Sequence, residues 1–113
     1  MRYMCLVYVD PDAPVDPSIR KQYFAFSDEV RAKGLMLAGD PLQGVETATT
    51  VRVRDGEIFT TDGPFAETKE ILGGYYILDC EDLDQAIQYA AKIPGARYGS
   101  VEVRPILEIS RPE

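Results

Sequence analysis

The side chains best suited to chemistry are concentrated in residues 62–70, which read Asp-Gly-Pro-Phe-Ala-Glu-Thr-Lys-Glu. Carboxylates, a hydroxyl group and an ammonium group stand close together in this segment, which we call the 62–70 loop. Lys69 could bind an anionic group or stabilise a neighbouring carboxylate, and a desolvated aspartate could act as a general base. The loop therefore predicts a ligand pocket, with a purely structural turn as the alternative.

The pocket hypothesis adds Asp40, which follows a short apolar segment and could lie at a strand end close to the loop. Asp40 and Asp62 are the candidate catalytic bases. The full set of candidate ligand-binding residues is Tyr23, Asp40, Asp62, Gly63, Pro64, Phe65, Glu67, Thr68 and Lys69. Under the structural alternative, Asp62 accepts backbone hydrogen bonds, Phe65 fills the core, and Glu67 and Lys69 face solvent.

The chain contains no histidine. This excludes a Ser-His or Cys-His nucleophilic pair and the usual histidine-containing zinc sites. Asp10, Asp12 and Asp16 could ligate a hard cation, but the prolines between them and the missing calcium-loop spacing favour a solvated acidic turn. We therefore predict no metal and no cofactor, and any acid–base chemistry must use carboxyl, phenol or amine groups.

Composition and charge narrow the class of protein. The 113 residues suit one domain, residues 1–113, and a net charge of −7 with scattered basic residues opposes binding to nucleic acid. No apolar run is long enough to span a membrane. Cys5 and Cys80 stand in apolar stretches and are expected to be reduced, buried thiols, although a disulfide is conceivable if their strands are neighbours. We expect a cytoplasmic protein.

Hydrophobic periodicity and turn signals divide the chain into alternating elements. Ile19, Tyr23, Phe26 and Val30 recur at helical spacing, and Asp55-Gly56 is a strong signal for a two-residue hairpin turn. In a second helix the apolar stripe is Leu83, Ala86, Ile87 and Ala90. Strands are predicted over residues 2–9, 35–38, 47–54, 57–61, 74–80 and 101–109, and helices over residues 17–33 and from residue 81 to just before Pro94.

The order of these elements predicts an α+β fold, a ferredoxin-like split β-α-β domain with an inserted β-hairpin. Right-handed crossovers place both helices on one face of the sheet. The first strand and the strand over residues 74–80 are nevertheless apolar on both faces. Because an uncovered apolar sheet face is avoided by monomers, we expect a homodimer that packs sheet against sheet.

The 62–70 loop resembles the name-giving motif of the DGPF branch of the YCII-related protein family. Similar segments stand at residues 2–4, 37–40, 48–55, 82–84 and 99–105, so the resemblance covers nearly the whole chain. It implies a ferredoxin-like domain that dimerises into an α+β barrel, in a bacterial protein often encoded beside an extracytoplasmic-function sigma factor. A His–Asp pair proposed as a catalytic site in other YCII-related proteins has no counterpart in this chain.

Two functional hypotheses follow. The first is a dimeric domain that binds a small molecule or a protein partner, in regulation, with a sigma factor as the partner that the resemblance implies. The alternative is a small enzyme that uses Asp, Tyr and Lys acid–base chemistry in a pocket near the 62–70 loop. The missing histidine favours the first, and the sequence leaves open whether the protein is an enzyme.

Overall fold

A computed structural model describes residues 1–112. The elements are β1 (Arg2–Val9), α1 (Ile19–Ala32), β2 (Met36–Pro41), β3 (Thr49–Arg54), β4 (Glu57–Asp62), β5 (Ile71–Asp79), α2 (Leu83–Ala90) and β6 (Gly99–Pro105). Short 3-10 turns stand at Val45–Thr47 and Pro94–Arg97. Neither α-helix within these residues has the length and apolarity that crossing a bilayer requires. Every predicted element is present, in the predicted order.

Four strands form one antiparallel sheet in the order β2-β5-β1-β6, with β1 and β5 at its centre. The hairpin β3-β4 is a separate two-stranded sheet inserted between β2 and β5. This arrangement is the ferredoxin-like split β-α-β fold with an inserted hairpin. The predicted fold class is confirmed.

The hydrophobic core lies between the main sheet and the two helices. It is built from alternate residues of β1 and β5, from one stripe on each helix and from the residues just after α2. The ring of Phe26 meets that of Tyr76 edge to face at 5.1 Å. The buried apolar residues are Tyr3, Cys5, Val7, Phe26, Val30, Tyr76, Leu78, Cys80, Ala86, Ala90 and Ile93.

The opposite face of the main sheet carries no helix. Met4, Leu6 and Tyr8 of β1 alternate with the core residues, and Tyr75 and Ile77 of β5 stand opposite Leu6 and Met4. All five side chains are only half-buried. The molecule is about 19 Å thick along its short axis, which is the thickness of one sheet and one helix layer. We call this uncovered surface the open face.

The start of α1 differs from the prediction that Asp16 is the N-cap and Pro17 the first helical residue. Ser18 is the N-cap and the helix begins at Ile19. The Asp16 carboxylate instead accepts hydrogen bonds from the backbone and the hydroxyl of Ser18, at 2.8 and 2.7 Å. These bonds hold the pKa of Asp16 below its ordinary value. The aspartate closes a turn just before the helix.

The apolar stripe predicted for α2 is half wrong. Ala86 and Ala90 are buried, but Leu83 and Ile87 are each about half exposed. The helix contacts the core through its two alanines, and their larger neighbours face outward. Its start is as predicted, because Asp82 caps the helix by accepting a 2.9 Å hydrogen bond from the backbone of Gln85.

The hairpin β3-β4 closes through the predicted turn, with Asp55 at φ 52° and Gly56 at φ 78°. Two consecutive positive φ angles are the signature of the type I′ turn. Val51, Val53 and Ile58 share one face of the hairpin and are all exposed, Ile58 to 73%. The hairpin thus presents an apolar surface to its surroundings.

The last strand is shorter than predicted. It ends at Pro105, and Leu107 and Ile109, which were expected in the strand, are exposed. Pro105 stands opposite Tyr3, near the beginning of β1, so almost no partner strand remains beyond it. Proline also has no N–H to donate to the ladder. A bidentate pair between Arg2 and Glu108, at 2.7 and 2.9 Å, holds the following segment.

The two cysteines lie on neighbouring strands but are not paired. Cys5 stands opposite Tyr76, four residues before Cys80 along β5. Four residues of extended strand span about 13 Å, whereas a disulfide requires Cα atoms within about 7 Å. The register therefore excludes the disulfide, and both thiols are buried.

Candidate functional site

A cavity of about 700 Å³, which we call the helix cavity, lies between α1 and the β2–β5 side of the main sheet. Residues without side chains make room for it. Gly74 faces α1 between Val7 and Pro41, and a Cβ atom added to it would lie 3.0 Å from the carbonyl oxygen of Asp40. Gly39 likewise leaves space for the ring of Tyr76, which would be 2.7 Å from an added Cβ. The floor is therefore backbone and aromatic surface.

One side of α1 forms the wall of this cavity. Its lining residues from the helix are Ile19, Arg20, Tyr23, Phe24, Ser27 and Arg31. These positions recur every three or four residues, so they form a single stripe along the helix. Phe24 is 66% exposed even though it is a large apolar residue. The wall thus combines aromatic surface with hydroxyl and guanidinium groups.

Hydroxyl groups lie at the base of the wall. The Ser27 Oγ and Tyr76 hydroxyl atoms are 3.2 Å apart, in hydrogen-bonding contact. Burial raises the pKa of Tyr76, and burial followed by the nearby Tyr76 raises the pKa of Tyr23. Both phenols are therefore neutral near pH 7 and can donate or accept hydrogen bonds.

The edge of the sheet adds Asp40 and Tyr75 to the lining of the cavity. The hydroxyl of Tyr75 donates a 2.8 Å hydrogen bond to Oδ2 of Asp40, which stands directly opposite it in the β2–β5 ladder. This bond raises the pKa of Tyr75, because it stabilises the protonated phenol. Tyr75 stands on the open face, so the Asp40 carboxylate directly opposite it lies on that side of the sheet edge, with one oxygen held by a phenol.

A second cavity of about 720 Å³, which we call the loop cleft, lies between the end of the 62–70 loop and the first residues of β6. Lys69 Nζ is 4.0 Å from Oδ2 of Asp10. The Ser100 hydroxyl lies 3.2 Å from both carboxylate oxygens of Glu70. Thr68, Lys69 and Glu70 share the lining with Tyr8, Asp10, Tyr98, Ser100, Val101 and Glu102.

The first part of the 62–70 loop lines neither cavity within the described residues. Asp62 is the last residue of β4, opposite Thr49, and is exposed. Gly63 has φ 101°, and its N–H donates a 2.7 Å hydrogen bond to the carbonyl of Ala48. Phe65 is 82% exposed, so the expectation that it fills the core is wrong. This part of the loop closes the base of the hairpin.

The candidate residues are therefore divided among three places. Tyr23 and Asp40 line the helix cavity, and Thr68 and Lys69 line the loop cleft. The remaining candidates at the hairpin base and beyond it are Asp62, Gly63, Pro64, Phe65 and Glu67. The two candidate bases, Asp40 and Asp62, do not share a cavity.

Sequence reasoning missed several residues that line the helix cavity. Arg20, Ser27 and Arg31 were not singled out, although their positions relative to Tyr23 repeat the helical period and could have indicated a polar stripe beside the apolar one. Helical spacing could not have indicated Tyr75, because its bond to Asp40 depends on the β2–β5 register. Phe26, from the predicted apolar stripe, is a core residue.

The acidic turn after β1 uses its carboxylates locally. Asp10 accepts a 3.0 Å hydrogen bond from the backbone of Asp12, and Asp16 binds Ser18 as described above. Within residues 1–112, no three Cys, Asp or Glu side chains stand close enough together to hold a metal ion.

Comparison with known proteins gives one family match. A model of the YCII-related domain matches residues 1–110. An uncharacterised protein of Rhizobium meliloti (strain 1021) is 49% identical over 61 residues, which are 52% of this chain and 49% of that protein. The match thus spans about half the length of that relative.

Among solved structures, an enzyme is similar to this chain over almost its whole length. It is 5-chloro-2-hydroxyhydroquinone dehydrochlorinase from Burkholderia phenoliruptrix AC1100, in complex with 2,5-dihydroxybenzoquinone. The TM-score is 0.53, the sequence identity is 14%, and the match covers 95% of this chain and 94% of that one. At this identity the likeness shows a shared fold.

Proposed function

The chain belongs to the YCII-related domain family, and from this premise we propose that it is a homodimeric domain that binds a small molecule in the helix cavity. The observation that carries the proposal is the lining of that cavity. Its volume of about 700 Å³ is in the range of small-molecule sites, and a few polar groups, the Ser27–Tyr76 hydroxyl pair among them, lie in a largely apolar surface.

The dimer is supported by the surfaces that one chain leaves uncovered. The open face carries Met4, Leu6 and Ile77 in its centre, and the hairpin adds Val51 and Ile58. Uncovered apolar surfaces of this kind are far more often interfaces than free surfaces. A two-fold axis would stack two open faces and give each exposed hairpin a partner surface to contact.

The DGPF resemblance supports further parts of the proposal. We place the chain, residues 1–113, as a single domain in the DGPF branch and as a bacterial, cytoplasmic protein. Its function is regulatory, and its protein partner is an extracytoplasmic-function sigma factor. Co-purification of this protein with a co-expressed sigma factor would support the interaction, whereas separate elution of the two at micromolar concentrations would contradict it.

A ligand screen tests the cavity. The melting temperature of the purified protein is measured with each compound of a metabolite library, and compounds that raise it are retested on two variants. Ser27→Trp fills the cavity, whereas Asp28→Trp adds the same side chain at the exposed neighbouring position. Binding that survives in Asp28→Trp and disappears in Ser27→Trp is expected. Stabilisation by the same compounds in all three proteins would contradict the proposed site.

The second candidate function is a small enzyme that uses Asp, Tyr and Lys acid–base chemistry, with Asp40 as general base and Lys69 as a cation in the loop cleft. It is favoured by the Tyr75–Asp40 hydrogen bond at the cavity edge and by the enzymatic activity in the name of the structural neighbour. The neighbour's ligand suggests hydroxylated quinones and quinols as substrates to assay. If the wild type converts one of these compounds and Asp40→Asn does not, the protein is an enzyme. If the wild type binds them without converting them, the binding function remains.

A further inference from the structure

The stripe of α1 that faces the helix cavity has an uneven distribution of charge. Arg20 and Arg31 stand near its two ends, and Tyr23, Phe24 and Ser27 lie between them. Eleven residues of helix correspond to about three turns, so the two arginines share one side of α1 about 16 Å apart. The aromatic part of the wall is thus bracketed by two guanidinium groups.

These arginines are weakly engaged by the protein itself. Arg31 is 3.7 Å from the carboxylate of Asp28, and both side chains are largely exposed. An exposed pair of this length contributes little. Within residues 1–112, Arg20 forms no ion pair. Guanidinium groups in this condition retain their donors for an external anion.

The net charge of the cavity lining is opposite to that of the chain. The chain carries a net charge of −7. The charged residues of the lining are Arg20, Arg31 and Asp40, and the carboxylate of Asp40 already accepts the Tyr75 hydrogen bond. A positive site on an acidic protein favours an anionic ligand and disfavours a cationic one.

The rest of the lining offers aromatic surfaces on which a flat ring could pack. Tyr76 is fixed by its edge-to-face contact with Phe26 and by the contact of its hydroxyl with Ser27. Phe24 offers an exposed aromatic surface on the same stripe as Tyr23. Aromatic rings pack on such surfaces in offset or edge-to-face geometry.

We propose that the helix cavity selects an aromatic small molecule that carries an acidic group. The ring packs against Phe24, Tyr23 and Tyr76, and Arg20 or Arg31 binds the carboxylate or phenolate. This assignment rests on the proposed small-molecule function and defines its ligand class. The two arginines set the specificity, and the aromatic residues supply most of the contact surface.

Three probes of the same size and different charge test the assignment: naphthoate, naphthylmethanol and naphthylmethylamine. Dissociation constants are measured by calorimetric or fluorescence titration at low salt. Naphthoate is expected to bind at least about tenfold more tightly than the other two, since a charge-assisted hydrogen bond contributes about 1.5–3 kcal/mol. In Arg20→Gln/Arg31→Gln the three constants should converge to within about threefold. The control variant Arg52→Gln/Arg54→Gln has the same change of charge in the hairpin and should keep the preference for naphthoate.

The outcomes separate this assignment from the proposed function on which it rests. Equal binding of all three probes, or tighter binding of the amine, overturns the ligand class and leaves a small-molecule site. The class is also overturned when no probe binds at millimolar concentration while a library compound still binds in a manner sensitive to Ser27→Trp. Failure of every compound, in the library and among the probes, overturns both.

Discussion

The hydroxyl of Tyr75 lies 2.8 Å from Oδ2 of Asp40, joining two strands at directly opposed positions of the ladder. Both residues stand at the edge of the sheet, and both are among the residues that line the helix cavity. The bond orients an exposed carboxylate at the edge of the sheet. A variant of this pair therefore tests whether the β2 edge of the sheet takes part in binding.

Tyr75→Phe should weaken ligand binding in the helix cavity by about three- to tenfold, because Asp40 loses the donor that orients it. The melting temperature should change little, since the bond is exposed. Titration with the compound that binds the wild type most tightly measures the effect. Tyr8→Phe, a matched change that removes a hydroxyl from the loop cleft, is the control. Equal affinities in the wild type and Tyr75→Phe would remove the pair from the site.

Asp62→Ala should leave binding in the helix cavity unchanged, because Asp62 lies at the hairpin base and lines neither cavity. Gly63→Ala should lower the free energy of unfolding by about 1 kcal/mol or more, since a residue with a Cβ atom is strained at φ 101°. Ligand titration and urea denaturation of both variants measure the two effects. Loss of binding in Asp62→Ala at an unchanged melting temperature would restore this aspartate to the site.

Ile77→Lys should convert the proposed dimer into a monomer, because Ile77 lies on the open face beside Met4 and a buried ammonium group there would oppose association. Sedimentation velocity is expected to give twice the chain mass of 12.6 kDa for the wild type and the single mass for the variant. Ile87→Lys makes the same change on the outer side of α2 and should remain dimeric. A wild type that sediments as a monomer would refute the interface.

Both thiols should resist alkylation in the folded protein. Burial, with a smaller effect from Cys80, raises the pKa of Cys5 from 9.0 to about 11, and burial raises that of Cys80. Iodoacetamide at pH 8 should therefore modify neither thiol until urea unfolds the chain, as read by mass spectrometry. Rapid native modification of Cys5 would show that β1 opens locally.

The same shift of Cys5 affects stability at alkaline pH. A folded-state pKa above the unfolded value means that the unfolded chain loses the proton first. The contribution of the protonated thiol to the free energy of unfolding is therefore complete below about pH 9 and disappears as the pH rises towards about 11. Cys5→Ala should flatten that part of the stability profile, at the expense of a cavity in the core.

Glu29→Gln should lower the melting temperature by a few degrees. Its carboxylate accepts hydrogen bonds from Lys92 at 2.8 Å and from Lys33 at 3.1 Å, and so connects α1 to the segment after α2. These bonds hold the pKa of Glu29 below its ordinary value, so its contribution is present above that value and disappears as the pH falls. Asp28→Asn, which affects only a long exposed pair with Arg31, should change the melting temperature less.

By itself the sequence determined the elements, their order and the fold class. Period-two and helical patterns are local, and they place β1, α1 and the Asp55-Gly56 turn correctly because short-range sterics and burial decide them. The two apolar faces of β1 also predicted the open face. Element ends were less accurate, as at Pro105, because a strand ends where its partner ends.

Only the tertiary structure decided which residues share a site. Asp40 and Asp62 both follow strands, yet the β2–β5 register places Asp40 against Tyr75, while Asp62 closes a hairpin that stands apart from the main sheet. The 62–70 loop is accordingly divided between the hairpin base and the loop cleft. Register and crossover are long-range properties, and a sequence pattern carries no distance between elements that are far apart along the chain.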